Sequence, residues 1–464
     1  MLAKRKLNLS IMKETLLEWS KRVDINCYNK LIEYKGNYFV QFIWLIILLG
    51  STSATLYLIA KNVIDFLKFD VTSQINIINE IPAKFPTITF CDNNPFSSLQ
   101  AQYLMENISL NQDFYDPSNA LEYAKRVASS KSLSDDERKL LGNFHLYEQF
   151  YCSFKGKYDC TSNFKWYWSF EYGNCYQFTT KENVTRSGKE HGLKIEVYLL
   201  INLNKYVTPE SRGLVLFVHD QKVKPRQEVF IKYGEKTYVS VNRVYTQKYP
   251  LPYSDCIDFS SNKFDFYSYI IKLNRTYRQE DCFELCIQKE IIKKCQCYYT
   301  KYDDLDTDVR PCLNDTDINC VEEQIDNFNL DECQSTSCPL ECDSVRYDLS
   351  LSSLVYPDKD YYNKVFNMDQ DIQDLYSNFS IELSYDLFRS NSAFFTVYYP
   401  NLQYTYISET PKTEIIDLFT QIGGALGMFV SFSVFTIFEF IEIGVLLLKN
   451  LFFMSGNHVS GEWR

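Results

Sequence analysis

Histidine is nearly missing from this 464-residue chain: His145, His191, His219 and His458 are all there is. No two of them share a metal-ligand spacing, and there is no His-Glu-x-x-His helix. A glycine-rich phosphate loop and a Gly-x-Ser-x-Gly elbow are absent as well. Without a nucleophile–base or metal set, the chain is not expected to be an enzyme or to need a cofactor. One acidic run, Asp304, Asp306 and Asp308, imitates a calcium loop. Val309 stands at its sixth place, where the turn needs glycine, and Asp315 stands where a bidentate glutamate belongs, so no metal site is expected. Positive charge is also short: 48 Lys and Arg face 59 Asp and Glu, a net charge of −11. Residues 61–417 alone carry −14, which disfavours nucleic acid and attracts cations. There is no internal repeat and no low-complexity tract.

Two stretches lack charge altogether. Gly36 to Ala60 runs 25 residues and Leu418 to Phe438 runs 21, each long enough to span a bilayer core of about 30 Å as helix. Fourteen of the fifteen cysteines, Cys91 to Cys342, lie between them, and only Cys27 lies outside. An even cysteine set of that density belongs as disulfides in an oxidising compartment, and the leftover thiol in the cytosol. Residues 1–37 carry eight Lys/Arg against four Asp/Glu, the excess that keeps a flank cytosolic. Five Asn-x-Ser/Thr acceptors, Asn107, Asn183, Asn274, Asn314 and Asn378, fall in the middle region, where glycan is added. Asn8 fits the pattern on the cytosolic side. Gly50-Ser51-Thr52-Ser53-Ala54 imitates a signal cleavage site, but a long charged lead and apolarity resuming at Leu56 argue against cleavage.

The expected organisation is a cytosolic segment 1–37, a membrane helix 38–60, an extracellular disulfide-rich domain 61–417, a second membrane helix 418–448 and a cytosolic tail 449–464. Both termini are then cytosolic, in the plasma membrane. Within the middle domain, Phe85 to Cys91 reads as a strand after a proline. Residues 195–203, 213–219, 228–233 and 236–244 cluster β-branched and aromatic residues, which predicts a central sheet. Residues 116–141 read as helix, as do 279–294, where Cys282 and Cys286 at i and i+4 share a face. This is an α+β domain.

The second uncharged segment carries the chemistry. The chain has only fifteen glycines, yet Gly423, Gly424 and Gly427 fall within five positions. Small residues pack membrane helices closely. Packing leaves unexplained the polar Ser431 and Ser433 deep in the span and the carboxylates Glu439 and Glu442 at its inner end, because such groups usually face a bundle interior or a water path. One helix cannot enclose a pore, so several copies must surround an axis.

Phe85-Pro86-Thr87-Ile88-Thr89-Phe90-Cys91-Asp92-Asn93-Asn94-Pro95-Phe96, Gly173-Asn174-Cys175-Tyr176, the late cysteine array and Ile422-Gly423-Gly424 together resemble the degenerin/epithelial sodium channel superfamily, which includes acid-sensing and peptide-gated channels. The resemblance covers nearly the whole chain. It implies a hand-like extracellular domain on two membrane helices, assembled as a trimer of identical or homologous subunits in the lipid bilayer. It also implies seven disulfides: Cys91 with Cys175, Cys152 with Cys160, Cys256 with Cys342, Cys282 with Cys338, Cys286 with Cys333, Cys295 with Cys320, and Cys297 with Cys312. Cysteine spacing by itself leaves the connectivity open.

By the same resemblance, the pore belt is a Gly-x-Ser tract whose extended backbone carbonyls form the narrowest ring. It falls on Ser431-Phe432-Ser433, with serine in place of the leading glycine. The cytosolic His-Gly gating pair falls on Asn26-Cys27, both replaced. The small gating-sensitive residue above the pore falls on Thr420, larger than the usual Gly, Ala or Ser. The function implied is a pore-forming subunit of an extracellularly gated, sodium-permeable channel, with sodium as the permeant ion, an extracellular ligand of unknown identity and Glu439 and Glu442 at the inner mouth. A non-conducting or regulatory subunit of a heteromer is the alternative that the replaced residues favour. An ATP-gated channel would need clustered external lysines.

Overall fold

The computed structural model describes residues 34, 36–111, 117–142, 150–198, 204, 211–257, 265–305, 308–331, 333, 337–368, 373 and 384–456. In chain order the elements are α1 (Tyr38–Leu67), β1 (Val71–Asn79), β2 (Ala83–Lys84), β3 (Thr87–Asp92), α2 (Leu99–Asn111), α3 (Pro117–Ser129) and α4 (Asp135–Lys139). Then follow β4 (Phe150–Phe154), β5 (Lys157–Tyr158), β6 (Phe164–Ser169), β7 (Gly173–Phe178), β8 (Asn183–Val184), β9 (Leu193–Tyr198), β10 (Gly213–His219), β11 (Glu228–Lys232), β12 (Glu235–Gln247) and β13 (Cys256–Ile257). The remainder is α5 (Asp265–Lys272), α6 (Gln279–Cys295), α7 (Asp315–Asp326), β14 (Leu340–Glu341), β15 (Asp343–Val355), α8 (Lys359–Met368), α9 (Tyr385–Ser390), β16 (Ser392–Tyr398), β17 (Gln403–Pro411), α10 (Ile415–Val430) and α11 (Val434–Gly456). Two units separate, one of Met1–Thr72 with Thr410–Arg464, the other of Ser73–Glu409.

In the larger unit, β12 is the spine of an eight-stranded sheet ordered β1-β17-β12-β16-β9-β4-β5, with β15 also on β12. It pairs antiparallel with β15 along all thirteen residues, and parallel with β16 at Lys236–Ser240 and with β17 at Arg243–Gln247. A second sheet runs β11-β10-β3-β7-β6. The two sheets enclose a core of Ile88, Phe90, Phe150, Phe164, Phe178, Leu193, Ile195, Leu214, Leu216, Val239 and Phe395. Phe90 meets Phe150 edge-on at 5.5 Å, the offset geometry that aromatic rings prefer. β10 is buried on both faces, which explains its unbroken apolar run: Leu214 and Leu216 enter the main core, while Val215 and Phe217 pack against Cys91 and Cys175.

The helical reading of 116–141 is corrected to two helices. Ser134 starts α4 with a reciprocal capping box to Glu137. Arg138 then turns back and donates to the Ala128 and Ser130 carbonyls, groups that a helix end leaves unsatisfied. The strand expected over 236–244 runs longer, Glu235–Gln247. The strand begun at 195–203 is Leu193–Tyr198, and 199–203 lie outside the described residues.

α6 buries Cys282, Leu285, Gln288 and Ile291 along one stripe and ends at Gln296 in the left-handed conformation. Disulfides join Cys282 to Cys338, Cys286 to Cys333, Cys295 to Cys320 and Cys297 to Cys312. Three more join Cys91 to Cys175, Cys152 to Cys160 and Cys256 to Cys342. These seven are the partners the resemblance implies. Around α7 the Cys295–Cys320 and Cys297–Cys312 bridges flank an apolar cluster of Ile291, Ile318, Val321 and Ile325.

The described helices of the smaller unit are α1, α10 and α11. α1 continues through Lys61 and Asp65 to Leu67, past the uncharged run, and packs against α10. Among the described residues α1 alone is long and apolar enough to cross a membrane, while α10 and α11 meet that test only together, bent by 76° at a break.

Candidate functional site

The break between α10 and α11 consists of Ser431, Phe432 and Ser433. Ser431 closes α10 in the left-handed region, φ 59° and ψ 26°, with its N–H donating to the Leu426 carbonyl. The Phe432 N–H donates to the same carbonyl at 3.2 Å. Ser431 is therefore helix-capping rather than extended, a conformation that glycine adopts without penalty and a residue with Cβ does not. Ser433 opens α11: its N–H donates to the Thr436 hydroxyl at 3.1 Å, and the Ser433 carbonyl accepts from the Thr436 N–H. The two hydroxyls lie 3.3 Å apart, and Thr436 is fully buried.

Gly423 and Gly424 face open space, so a Cβ there would meet no other atom of this chain; at Gly427 a Cβ would touch the Phe432 carbonyl at 3.9 Å. Thr420, one turn before Gly424, donates its hydroxyl to the Ile416 carbonyl. Glu439 is half-buried and Glu442 exposed, both on α11. Asn26 and Cys27 lie outside the described residues, as does Asn378. The other four acceptor asparagines, Asn107, Asn183, Asn274 and Asn314, are all exposed.

Sequence reasoning missed two polar constellations in the larger unit. The first is a cleft of about 1020 Å³ between β6, the β10–β11 connection and the α5–α6 region, walled by Trp166, Trp168 and Phe170. Its charges are cross-paired. Arg226 bridges Glu280, Asp281 and Glu284; Lys224 meets Glu284, Arg275 meets Asp303, and Lys301 meets Glu171. Burial pushes the Glu171 carboxyl up, but Lys301 and Lys125 outweigh it and hold that group below its ordinary value. Burial likewise opposes charge on Arg226, and its three carboxylates more than offset it. Partners 54 to 58 residues apart in sequence carry no local signal, which is why the pattern was unreadable.

The second is Asp92, at the end of β3. It is buried, accepts from the Asn94 N–H at 3.1 Å and the Tyr233 hydroxyl at 3.2 Å, and burial pushes its carboxyl up to about 7. Arg212 nearby pulls the other way. The sequence placed Asp92 inside the strand motif without a role.

A family model described as amiloride-sensitive sodium channel matches residues 20–443. Among similar proteins, the bile acid-sensitive ion channel of Rattus norvegicus is 23% identical over 435 residues, covering 87% of this chain and 82% of that protein. Degenerin unc-8 of Caenorhabditis elegans is 26% identical over 320 residues, 65% of this chain and 39% of that protein. The epithelial sodium channel subunit gamma of Neoceratodus forsteri is 26% identical over 326 residues, 67% of this chain and 48% of that protein. The chain thus spans less than half the length of the degenerin and the gamma subunit.

Proposed function

The chain belongs to the amiloride-sensitive sodium channel family, and from that premise we propose that it is a pore-forming subunit of an extracellularly gated, sodium-permeable cation channel. Family members are membrane channels rather than enzymes, with a disulfide-rich ectodomain and assembly from homologous subunits. The finer reading adds two spans, α1 and the α10–α11 pair, cytosolic termini and a trimer around the α10–α11 axis. The observation that carries it is the break at Ser431–Ser433 between two apolar helices. Broken helices inside a membrane are tolerated where freed carbonyls line a water path. Gly423 and Gly424, open in the single chain, suit close approach by neighbouring helices. Exposed Ile75 and Ile77 on β1 suit a subunit contact. The acidic middle region favours cations, and ion passage needs only carbonyl and carboxylate rings.

A second reading, a regulatory subunit that conducts only in a heteromer, is favoured by one observation. Ser431 holds a left-handed conformation with a side chain where the family carries glycine. Whole-cell recording from the chain expressed alone, screened over pH, peptides and amiloride, separates the two. An amiloride-blocked sodium current is expected; surface-expressed protein without current under every condition sinks the first reading in favour of the second.

A further inference from the structure

A smaller cavity of about 290 Å³ lies among β2, β12, β15 and β17, wholly within the larger unit, close to the lower end of ordinary small-ligand pockets. Its walls are aromatic. Tyr245 and Tyr406 stack at 5.4 Å and 11°, and the Arg243 guanidinium lies 4.6 Å over the ring of Tyr404. Tyr347 is 7% exposed and lines the cavity.

The polar balance of the lining indicates what kind of ligand fits. Lys84 holds Asp220 at 3.3 Å and Arg243 holds Glu80, each through a single contact. An ammonium has three N–H groups and a guanidinium five, so both cations keep donors to spare. The Tyr347 and Tyr404 hydroxyls add two more. Against these stands one lining carboxylate, Asp220, already taken by Lys84 and by the Gln221 N–H at 2.8 Å. The cavity is rich in donors, poor in acceptors and floored with rings.

We propose that this cavity binds a small aryl carboxylate, its carboxylate taken by Tyr347, Arg243 and Lys84 and its ring laid against the tyrosines. The tyrosines come from three strands of one sheet, so the site is built on rigid elements rather than loops. It does not depend on the conduction reading, because occupancy is measured without current.

Hydrocinnamate is the probe, titrated into the purified full chain in detergent and followed by saturation-transfer NMR. Saturable binding with a Kd on the order of 1 mM is expected for a ligand of that size. The neutral amide should bind more weakly, and phenylpropylamine, with the opposite charge, should not saturate. Tyr347→Phe removes one donor and keeps the ring, and should weaken binding about tenfold, as loss of a hydrogen bond to a charged group does. Tyr404→Phe, equally conservative, should weaken it less. The proposal is overturned if wild type shows no saturable binding, if phenylpropylamine binds as well as hydrocinnamate, or if both tyrosine variants keep the wild-type Kd.

Discussion

The larger unit turns its apolar side chains inward, and the smaller one turns them outward. Phe90, Phe178 and Phe395 are fully buried between two sheets, whereas Tyr38 is 84% exposed, Met428 80% and Phe435 78%. Among the described residues of the smaller unit's helices, only Thr55, Thr436 and Ile443 are buried. Leaving that many large apolar groups in water opposes folding at about 25 cal/mol per Å². One unit is therefore completed by its own chain, and the other only by lipid or by further helices. Composition hides this, since both units are rich in phenylalanine; the difference lies in what the sequence does every second or fourth residue.

The contrast breaks first at the disulfides. If the larger unit stands on its own chain, a lost bridge cannot be made good by lipid or a neighbour. Native bridges contribute typically about 2–5 kcal/mol, and the one between Cys286 and Cys333 staples α6 through a cluster that holds Phe266, Ile270 and Leu285. Cys286→Ser should retain the protein inside the cell, read by surface biotinylation. Wild-type surface levels would mean that the apolar core, not the bridge, holds α6.

A buried charge sharpens the contrast next. The Asp92 carboxyl has a folded value of about 7, against roughly 3.9 when unfolded. A carboxyl whose value is raised by folding binds its proton more tightly in the folded state. Its contribution is therefore intact at low pH and is lost as pH rises from about 4 to 7, a difference of order 4 kcal/mol. Asp92→Asn keeps an oxygen to accept from Asn94 and Tyr233 but cannot ionise. The variant should melt above wild type at pH 8 and close to it at pH 5. Equal melting differences at the two pH values, by scanning fluorimetry of the ectodomain in the full chain, would remove Asp92 as the cause.

These features differ in how far the sequence announces them. The unbroken apolar run of β10 is visible because both its faces are buried, and α6 is visible because Cys282 and Cys286 repeat at helical spacing. The split between α3 and α4 is not, since it depends on Arg138 capping a helix that ended nine residues earlier. Nor are the cleft's ion pairs or the tyrosine-lined cavity, which join residues from strands far apart in sequence. The resemblance put an extended tract at Ser431–Ser433 within the second helix, whereas the chain breaks there into α10 and α11. The conformation of that break was not legible, because serine at 431 gives no local sign of a left-handed residue where glycine is the usual mark.

That residue supplies the smallest expected effect and the closest test of the smaller unit. Ser431 sits at φ 59°, a conformation that costs a residue with Cβ roughly 1 kcal/mol relative to glycine. Ser431→Gly relieves that cost, so the break between α10 and α11 becomes easier to hold. If the Ser431–Phe432–Ser433 carbonyls form the ion path, this small gain falls where selectivity is set. Current or sodium-over-potassium preference should then rise, in the range of a fewfold that about 1 kcal/mol allows. Ser433→Ala is the counterpart. Ser433→Ala loses the 3.3 Å contact between the two hydroxyls but keeps the Ser433 N–H and carbonyl bonds to Thr436, so permeation should stay nearly unchanged if carbonyls coordinate the ion. Bi-ionic reversal potentials of wild type and both variants decide between them. Should Ser433→Ala alter selectivity while Ser431→Gly leaves it untouched, hydroxyls line the path and the assignment of the carbonyl ring fails.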